Sequence, residues 1–338
     1  MTDISLCILG GMVNFLEESL LEDVEHFKSL AYAVSTQKTY KSQRETYLLF
    51  CKALGYTPVP ASTQTLCRFA ALLARTHRYS SIKQYLNIVR ILHLEWDLPN
   101  PLSGNFQLDS VLKGIRRAIG DKVNRKAPID PQMLIAILTQ LDMDNKCHCA
   151  VWAACLLMFY GMLRQSNVMP ASPASFDPNK HLRRQDIKFT QNAVILTIRW
   201  SKTIQFKERT LTLPLPRIRN HVLCPLQAVF NSFQKTSDAP SSGPALTVST
   251  NPVIPLTVNM FRSVFYECLS KSGIQVNHYS GHSFRRGGAS WAYQSGVPIQ
   301  TIKNIGDWKS DAYQRYIFDS KASLHQAMSC MVSNIHPL

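Results

Sequence analysis

The sequence has few acidic residues and no long apolar run, and each shortage excludes a class of protein. Asp and Glu number 22 against 37 Lys and Arg, so the 338 residues carry a formal net charge of +15. The apolar residues 5–13 follow Asp3 instead of a basic segment and are too few to cross a bilayer. We therefore expect no signal peptide, no membrane span and no membrane partner. Hydrophobic residues still make up 45%, which is enough for a sizeable core.

Cysteine, although present nine times, lacks the spacing of a disulfide framework. Cys147-His148-Cys149 is the only tight Cys/His group, and it has no second pair at zinc-finger spacing. No nucleotide-binding motif or carboxylate cluster is present either, so we expect no cofactor. Several cysteines lie in apolar helical stretches and are interpreted as buried free thiols of a reducing compartment: Cys51, Cys67 and Cys155.

The positive charge is distributed unevenly along the chain. Residues 1–30 have a net charge of −5, so the remaining residues carry +20. An excess of this size favours a polyanionic partner, of which nucleic acid is the commonest, over an unspecialised basic surface. The acidic residues of the first segment are Asp3, Glu17, Glu18, Glu22, Asp23 and Glu25.

The first part of the chain has helical periodicity. Residues 12–33 predict an amphipathic helix with an acidic face, either solvated or docked on a basic surface. Ser35 and Thr36 are typical helix caps, and Gly55 is a typical stop. Together these signals predict an N-terminal acidic helix (1–34) and a small helical domain (35–119). The helices expected in that domain span 35–54, 63–76, 80–93 and 109–119.

A polar and basic stretch, 120–127, separates this part from a second domain (128–338) and is interpreted as a linker. Asp130-Pro131 predicts a helix start, and an apolar helix is expected over 144–160. The β-branched residues of 186–200 and 210–215 predict a small antiparallel sheet with a hairpin loop between them. Residues 236–256 are expected to form a surface loop, with helices from Asn259 onward.

Basic and polar side chains recur along one face of the predicted helices of the first domain. They are candidate contacts to DNA phosphates, although solubilising surface positions explain any one of them nearly as well. The set consists of Lys38, Lys41, Arg44, Ser80, Lys83, Tyr85 and Arg90.

Two cations of the second domain lie where a phosphodiester can be bound. Arg164 follows an apolar helix at a break marked by Gly161, and a guanidinium matches phosphate oxygens better than an ammonium does. Lys202 lies in the hairpin loop, from which an ammonium can reach a cleft and act as an acid. Lys207, in the same loop, is the alternative.

The segment Gly281-His-Ser-Phe-Arg-Arg-Gly-Gly288 is the strongest local signal. His282 and Arg285 are three residues apart and share one face of a helix, whose N-terminus adds positive potential. The flanking glycines imply close packing against another element. Such a His/Arg pair alone is more often structural than functional.

Near the end of the chain, Trp308 precedes two tyrosines, Tyr313 and Tyr316, on a probable helix. A tyrosine at helical spacing is normally a packing residue. Its phenol becomes a nucleophile only where a base or nearby cations favour the phenolate. An indole beside such a site can donate its N–H to an oxygen.

Taken in order, Arg164, Lys202, His282 with Arg285, Trp308 and Tyr316 resemble the tyrosine recombinase (phage integrase) superfamily. The resemblance covers about residues 35–325. Three ungapped motif pieces are most similar to eukaryotic Crypton-type transposon recombinases: residues 200–203, 282–288 and 306–317. It implies a mainly α fold with a small antiparallel β-sheet, as a two-domain C-clamp. A helical, SAM-like core-binding domain would precede a mixed α/β catalytic domain. Trp308 and Tyr316 are eight residues apart where most bacterial and phage members have nine, which keeps Tyr313 as the rival nucleophile.

The resemblance also implies a mechanism. Tyr316 would attack the scissile phosphate to form a 3′-phosphotyrosyl bond, the two arginines would hold the phosphate oxygens, and Lys202 would protonate the leaving 5′-oxygen. His282 would assist proton transfer, and Trp308 would support the phosphate. No metal or ATP would be needed. Four protomers would act on double-stranded DNA, at element ends and a target site, through a Holliday junction.

Four expectations remain open at the level of sequence. A domesticated DNA-binding protein without cleavage activity would keep the same fold, and a type IB topoisomerase would use similar chemistry without synapsis. A nuclear location follows only from the resemblance. The apolar segment Ala322–Leu338 is expected to pack either on its own chain or on a neighbouring protomer.

Overall fold

The computed structural model describes residues 2–121, 125–206 and 208–316. Side chains are described from Leu16 onward, except that of Arg315. The chain forms two compact units, Met1–Asn124 and Arg125–Leu338, and the division lies within the predicted linker segment. The predicted tail Ala322–Leu338 and the alternative Lys207 lie outside the described residues. None of the described helices is both long enough and apolar enough to cross a membrane.

The first unit consists of helices, and local capping sets several of their ends. Gly55 ends the second helix in the left-handed region (φ +66°), as the sequence indicates. Ser62 Oγ accepts the Thr65 N–H and starts the third helix, and Asn105 caps the fifth. The helices are α1 (Thr2–Leu30), α2 (Val34–Leu54), α3 (Thr63–Ala74), α4 (Tyr79–Leu94) and α5 (Phe106–Ile119).

Two of the predicted helix starts in this unit are wrong. Helix α2 begins after Ala33, which offers no side-chain cap, instead of being capped by Ser35 or Thr36. Helix α1 begins ten residues earlier than the apolar period indicates. Helices α2 to α5 enclose a core that includes Tyr47 and Phe69. The described residues of α1 are all exposed, its leucines included.

The second unit surrounds a helix that is buried on every side. Asp130 Oδ1 accepts the Met133 N–H at 2.8 Å and starts its first helix, as predicted from Asp-Pro. The buried helix is α7, whose residues from Cys149 to Phe159 are almost fully enclosed. The helices are α6 (Pro131–Leu138), α7 (Lys146–Tyr160), α8 (Gln165–Val168), α9 (Pro225–Lys235), α10 (Val258–Lys271), α11 (Gly281–Gln294) and α12 (Ile299–Ile305).

The predicted antiparallel sheet is present, but with three strands. They are β1 (Ile187–Phe189), β2 (Ala193–Ile198) and β3 (Leu211–Pro216), in that order and all antiparallel. The segment 186–200 supplies two of these strands because Thr190 makes a turn between them. Its Oγ1 bonds both the carbonyl and the N–H of Ala193.

The surface loop predicted for 236–256 is also wrong in part. This segment contains a second, two-stranded sheet, β4 (Thr247–Thr250) with β5 (Val253–Pro255). Leu246 and Leu256 are buried, and the Leu256 N–H donates to the Leu246 carbonyl at 2.8 Å. The loop prediction followed the Ser- and Pro-rich composition and missed these apolar residues. They join the core around α7.

Candidate active site

Arg285 is the centre of the candidate site. It lies on α11 with 2% of its surface exposed. Its Nη1 donates to the carbonyl of Met162 and its Nη2 to the carbonyl of Gly306. These two bonds fix the plane of the guanidinium between the end of α7 and the segment after α12. Its Nε has no hydrogen-bond partner among the described residues.

Glycines bring α11 close enough to the core for this arrangement. A Cβ on Gly287 would overlap the Ile129 carbonyl, and one on Gly288 would overlap the carbonyl of Phe159. A Cβ on Gly281 would overlap the Gln165 side chain. The close packing inferred from the flanking glycines is therefore confirmed, and it sets the depth at which Arg285 lies.

Trp308 and Tyr316 lie against the same guanidinium. The Arg285 Cζ is 4.1 Å from the centre of the Trp308 ring and 5.3 Å from that of Tyr316. The two rings are themselves 5.1 Å apart. Trp308 Nε1 is buried and has no partner in the described part of the chain.

Tyr313, the rival nucleophile, lies beside a different cation. It is buried in a small apolar cluster with Trp308, Met162 and Ile302, against which Tyr316 also packs, but it is the Lys303 ammonium that lies 5.4 Å from its ring centre. The predicted helix here is wrong. Residues Asp311–Arg315 form one 3₁₀ segment that contains Tyr313, and Tyr316 follows its end. The geometry favours Tyr316 as the group beside the guanidinium.

Arg164 and His282 flank this centre. Arg164 precedes α8, and its N–H donates to Asn167 Oδ1 at 3.2 Å. Sequence reasoning missed Asn167, which is buried and also donates to the Trp200 carbonyl at 3.0 Å. It therefore fixes the Arg164 backbone to the chain just before Lys202. The sequence marks Asn167 only by its position three residues after Arg164.

The pKa values of His282 and Arg285 reflect how close these groups lie to one another and to Arg164. Desolvation, followed by the charges of Arg164 and Arg285, lowers the pKa of His282, so its imidazole is mostly neutral at pH 7. Burial, followed by the charge of Arg164, lowers the pKa of Arg285 to about 9, which leaves the guanidinium protonated at neutral pH. Three cationic or potentially cationic groups therefore share one place, which suits a phosphate.

Lys202 is less firmly placed than the other five residues. It lies in a tight turn closed by two backbone hydrogen bonds of 3.1 Å between Ser201 and Ile204. Its side chain is exposed and has no ion pair within the described ranges. The turn itself is held by Asp307, a residue that sequence reasoning did not single out.

The candidate DNA contacts of the first unit differ in how free they are. Lys38, Lys41, Ser80 and Lys83 are exposed, although the Lys83 ammonium lies 5.2 Å from the ring centre of Tyr79. Three others are engaged within the unit: Arg44 pairs with Glu95 at 2.7 Å, Arg90 bonds Asn87, and Tyr85 packs on Phe69 and His77. The first four are the better candidates, and the role of all seven stays a prediction.

The chain is similar to proteins of known family over much of its length. Residues 180–322 match the Phage integrase family, a segment that contains five of the six candidate residues and begins after Arg164. The chain is 22% identical to the "Integrase/recombinase xerD homolog" of Selenomonas ruminantium over 291 residues, 84% of this chain and 82% of that protein. These two matches support the tyrosine recombinase superfamily and an enzyme of that type.

Solved structures share the fold. A lambda integrase dimer bound to a COC' core site is 15% identical, with a TM-score of 0.58 over 90% of this chain and 96% of that one. The integrase of transposon Tn1549, in complex with a circular intermediate DNA, is 14% identical, with a TM-score of 0.59 over 92% and 97%. The predicted fold class, mainly helical with small antiparallel sheets, is confirmed.

Proposed function

We propose that this chain is a site-specific DNA recombinase that cleaves and rejoins DNA through a 3′-phosphotyrosyl intermediate. One observation carries the proposal: the ring of Tyr316 lies 5.3 Å from the Cζ of a buried guanidinium that also stacks on Trp308. A buried arginine with a free Nε beside a tyrosine is arranged for an anion and a nucleophile together.

The phosphate would lie where the unpaired donors converge. Arg285 Nε and Trp308 Nε1 are buried without partners in the described part of the chain, and each such donor costs about 1–3 kcal/mol until it is bonded. Non-bridging phosphate oxygens would satisfy both. Arg164 would bind the same phosphate from the opposite flank. The positive charges stabilise the transition state more than the substrate because negative charge accumulates on these oxygens during attack.

The transfer itself needs a nucleophile, a group that accepts the proton of the nucleophile, and a group that protonates the leaving oxygen. The Tyr316 oxygen attacks phosphorus, and the bond from phosphorus to the 5′-oxygen breaks. His282, mostly neutral, accepts or relays the phenolic proton. Lys202 gives a proton to the leaving 5′-oxygen. The covalent link retains the energy of the broken bond, so a second 5′-hydroxyl can reverse the reaction and rejoin DNA.

The similarity of the motif pieces to Crypton-type recombinases extends the proposal. On that basis the chain is a transposon recombinase acting in the nucleus on element ends and a target site. Strand exchange between two such sites proceeds through a Holliday junction and needs four protomers. The net charge of +20 over residues 31–338 suits the binding of two duplexes.

The experiment that tests the proposal traps the covalent intermediate. Nicked duplexes made from the genomic DNA that flanks the coding sequence are incubated with the full chain, because a nick beside the scissile phosphate lets the leaving strand diffuse away. A protein–DNA adduct that survives denaturing electrophoresis is expected. Mass spectrometry after nuclease digestion should find the nucleotide on Tyr316. Absence of any adduct, with DNA binding intact, contradicts the proposal and favours a DNA-binding protein without cleavage activity.

A second measurement separates recombination from relaxation. Supercoiled plasmids with and without the cleaved site are incubated with the chain. Strand exchange between two copies of the site is expected. Relaxation of any plasmid without exchange would instead indicate a type IB topoisomerase activity.

A further inference from the structure

The carboxylate of Asp307 joins two parts of the candidate site. Its Oδ2 accepts hydrogen bonds from the hydroxyls of Ser201, at 2.9 Å, and Thr203. Its Oδ1 accepts from the guanidinium of Arg209. All three donors belong to the segment between β2 and β3, and two of them flank Lys202 directly. Asp307 itself follows α12, about a hundred residues further along the chain.

The backbone on either side of Asp307 contacts the central guanidinium. The preceding carbonyl, of Gly306, accepts from Arg285, and the following side chain, Trp308, stacks on it at 4.1 Å. Asp307 has a φ of +53°, in the left-handed region that only a few non-glycine residues adopt. This conformation sends the carboxylate toward the turn while its neighbours face Arg285.

The turn around Lys202 depends on this carboxylate for its order. Ser201 Oγ accepts the Thr203 N–H at 3.1 Å while donating to Asp307, so one chain of hydrogen bonds fixes both residues. The carboxylate is only 8% exposed. Burial alone would raise the pKa of Asp307, but the bonds from Thr203, Arg209 and Ser201 outweigh it and hold the pKa below its usual range. Asp307 is therefore charged, and each bond to it is charge-assisted.

We propose that Asp307 is a positioning residue that holds the Lys202 turn in register with Arg285 and Trp308, and so aims the Lys202 ammonium at the leaving 5′-oxygen. The proposal rests on the proposed function, in which Lys202 is the acid. The fixed turn explains how Lys202, which has no ion pair among the described residues, is brought to a defined position. The turn is fixed, and only the side chain remains to be oriented by DNA.

The test uses a substrate that needs no acid. In a nicked duplex whose scissile 5′-bridging oxygen is sulfur, at the position mapped by adduct trapping, the leaving group departs as a thiolate without a proton. Adduct formation is measured on this substrate and on the ordinary one. The full chain is compared with Asp307→Asn, with Lys202→Met as the reference for a lost acid. Asp311→Asn is the matched control, because Asp311 is exposed and pairs only loosely with Lys303, at 3.4 Å.

The expected result is selective rescue. Asp307→Asn and Lys202→Met should each slow cleavage of the ordinary duplex, by about 10- to 100-fold for the former, because general acid catalysis contributes about 10²–10⁴. Both should cleave the sulfur-containing duplex nearly as fast as the unsubstituted chain. The double variant should be no slower than Lys202→Met alone. Asp311→Asn should match the unsubstituted chain on both substrates.

The double substitution Ser201→Ala with Thr203→Val removes the turn side of the same contact and leaves Asp307 paired with Arg209. This double variant should cleave the ordinary duplex slowly and the sulfur-containing duplex nearly as fast as the unsubstituted chain. It takes the place of Asp307→Asn in the test if that variant does not fold. Equal loss on both substrates, in whichever of these variants folds, overturns the role of Asp307 and leaves the proposed function standing. Failure of the sulfur substrate to rescue Lys202→Met overturns Lys202 as the acid, and the role of Asp307 with it. No adduct from the unsubstituted chain on either substrate overturns the proposed function itself.

Discussion

Tyr313 and Tyr316 are three residues apart but differ in what surrounds them. Tyr316 contacts Arg285 and Trp308, whereas Tyr313 is buried beside Lys303. Tyr316→Phe should abolish the covalent adduct because it removes the hydroxyl that lies beside the guanidinium. Tyr313→Phe makes the same chemical change outside the phosphate site and should leave adduct formation nearly unchanged. Denaturing electrophoresis with trapped DNA measures both, and an adduct that persists in Tyr316→Phe but not in Tyr313→Phe would reverse the assignment.

Arg285 binds two buried carbonyls as well as the expected phosphate, so it has both a structural and a functional role. Arg285→Lys should lower the free energy of unfolding by about 2 kcal/mol, because one ammonium cannot reach both carbonyls in the same geometry. Adduct formation should fall by about 100-fold or more. Arg262→Lys on the exposed face of α10 is the control and should change neither quantity. Urea unfolding measures the stability of both variants, and adduct trapping measures their cleavage. A fully active Arg285→Lys would show that this residue does not belong to the site.

At the scale of elements, the packing of α11 on α7 decides whether the site can form. Gly288→Ala should destabilise the chain by about 1–3 kcal/mol, because the new methyl meets the backbone oxygen of Phe159, which cannot move without bending α7. Gly114→Ala, inside α5 with open space around it, should instead stabilise by about 0.5–1 kcal/mol. Urea unfolding followed by circular dichroism compares them. Equal effects would mean that α11 is not packed as closely as the structure shows.

Another buried carboxylate, just before β1, links the start of that strand to the end of β2. Asp186 accepts from Arg183 at 3.0 Å and from Arg199 at 2.7 Å. Burial would raise the pKa of Asp186, but these bonds hold it below the ordinary 3.8. A lowered folded pKa stabilises the protein above the unfolded value and ceases to do so as the pH falls through the folded one. This contribution is therefore lost only in acid.

Asp186→Asn should accordingly cost about 2 kcal/mol of unfolding free energy at neutral pH. The difference from the unsubstituted chain should stay constant down to about pH 4 and shrink below it. Asp238→Asn, an exposed position, is the control and should show no such trend. Unfolding free energies measured across this range decide the point, and a difference independent of pH would contradict the ion-pair interpretation.

For the molecule as a whole, charge sets how strongly DNA is attracted. Neutralising five of the six acidic residues of α1 raises the net charge from +15 to +20 without altering any basic residue. Binding to a labelled duplex of arbitrary sequence should tighten at about 50 mM salt, and the gain should shrink toward about 200 mM as screening increases. The slope of log affinity against log salt should stay the same, because the number of phosphate contacts is unchanged.

Fluorescence anisotropy measures both quantities. The variant replaces Glu17, Glu18, Glu22, Asp23 and Glu25 by the corresponding amides. A matched variant that replaces Ser19 and Ser29 of the same helix by Ala keeps the charge and should bind like the unsubstituted chain. Unchanged affinity at low salt in the neutralised variant would show that α1 does not act on DNA through its charge.

The sequence by itself determined the elements whose signals are local. Asp130 before Pro131 started α6, Gly55 ended α2, and the three-residue spacing of His282 and Arg285 placed them on one helix, because caps, turns and helical periodicity involve neighbours in the chain. The order of the candidate residues was also legible, since motif spacing is linear.

Only the tertiary structure decided which of these residues meet. It separated Tyr316 from Tyr313, brought Asp307 to the Lys202 turn, and buried Leu246 in a segment whose composition is typical of a loop. Each of these outcomes depends on contacts between residues distant in sequence. Such contacts are set by how the helices and sheet pack together, and no local pattern of residue types encodes that packing.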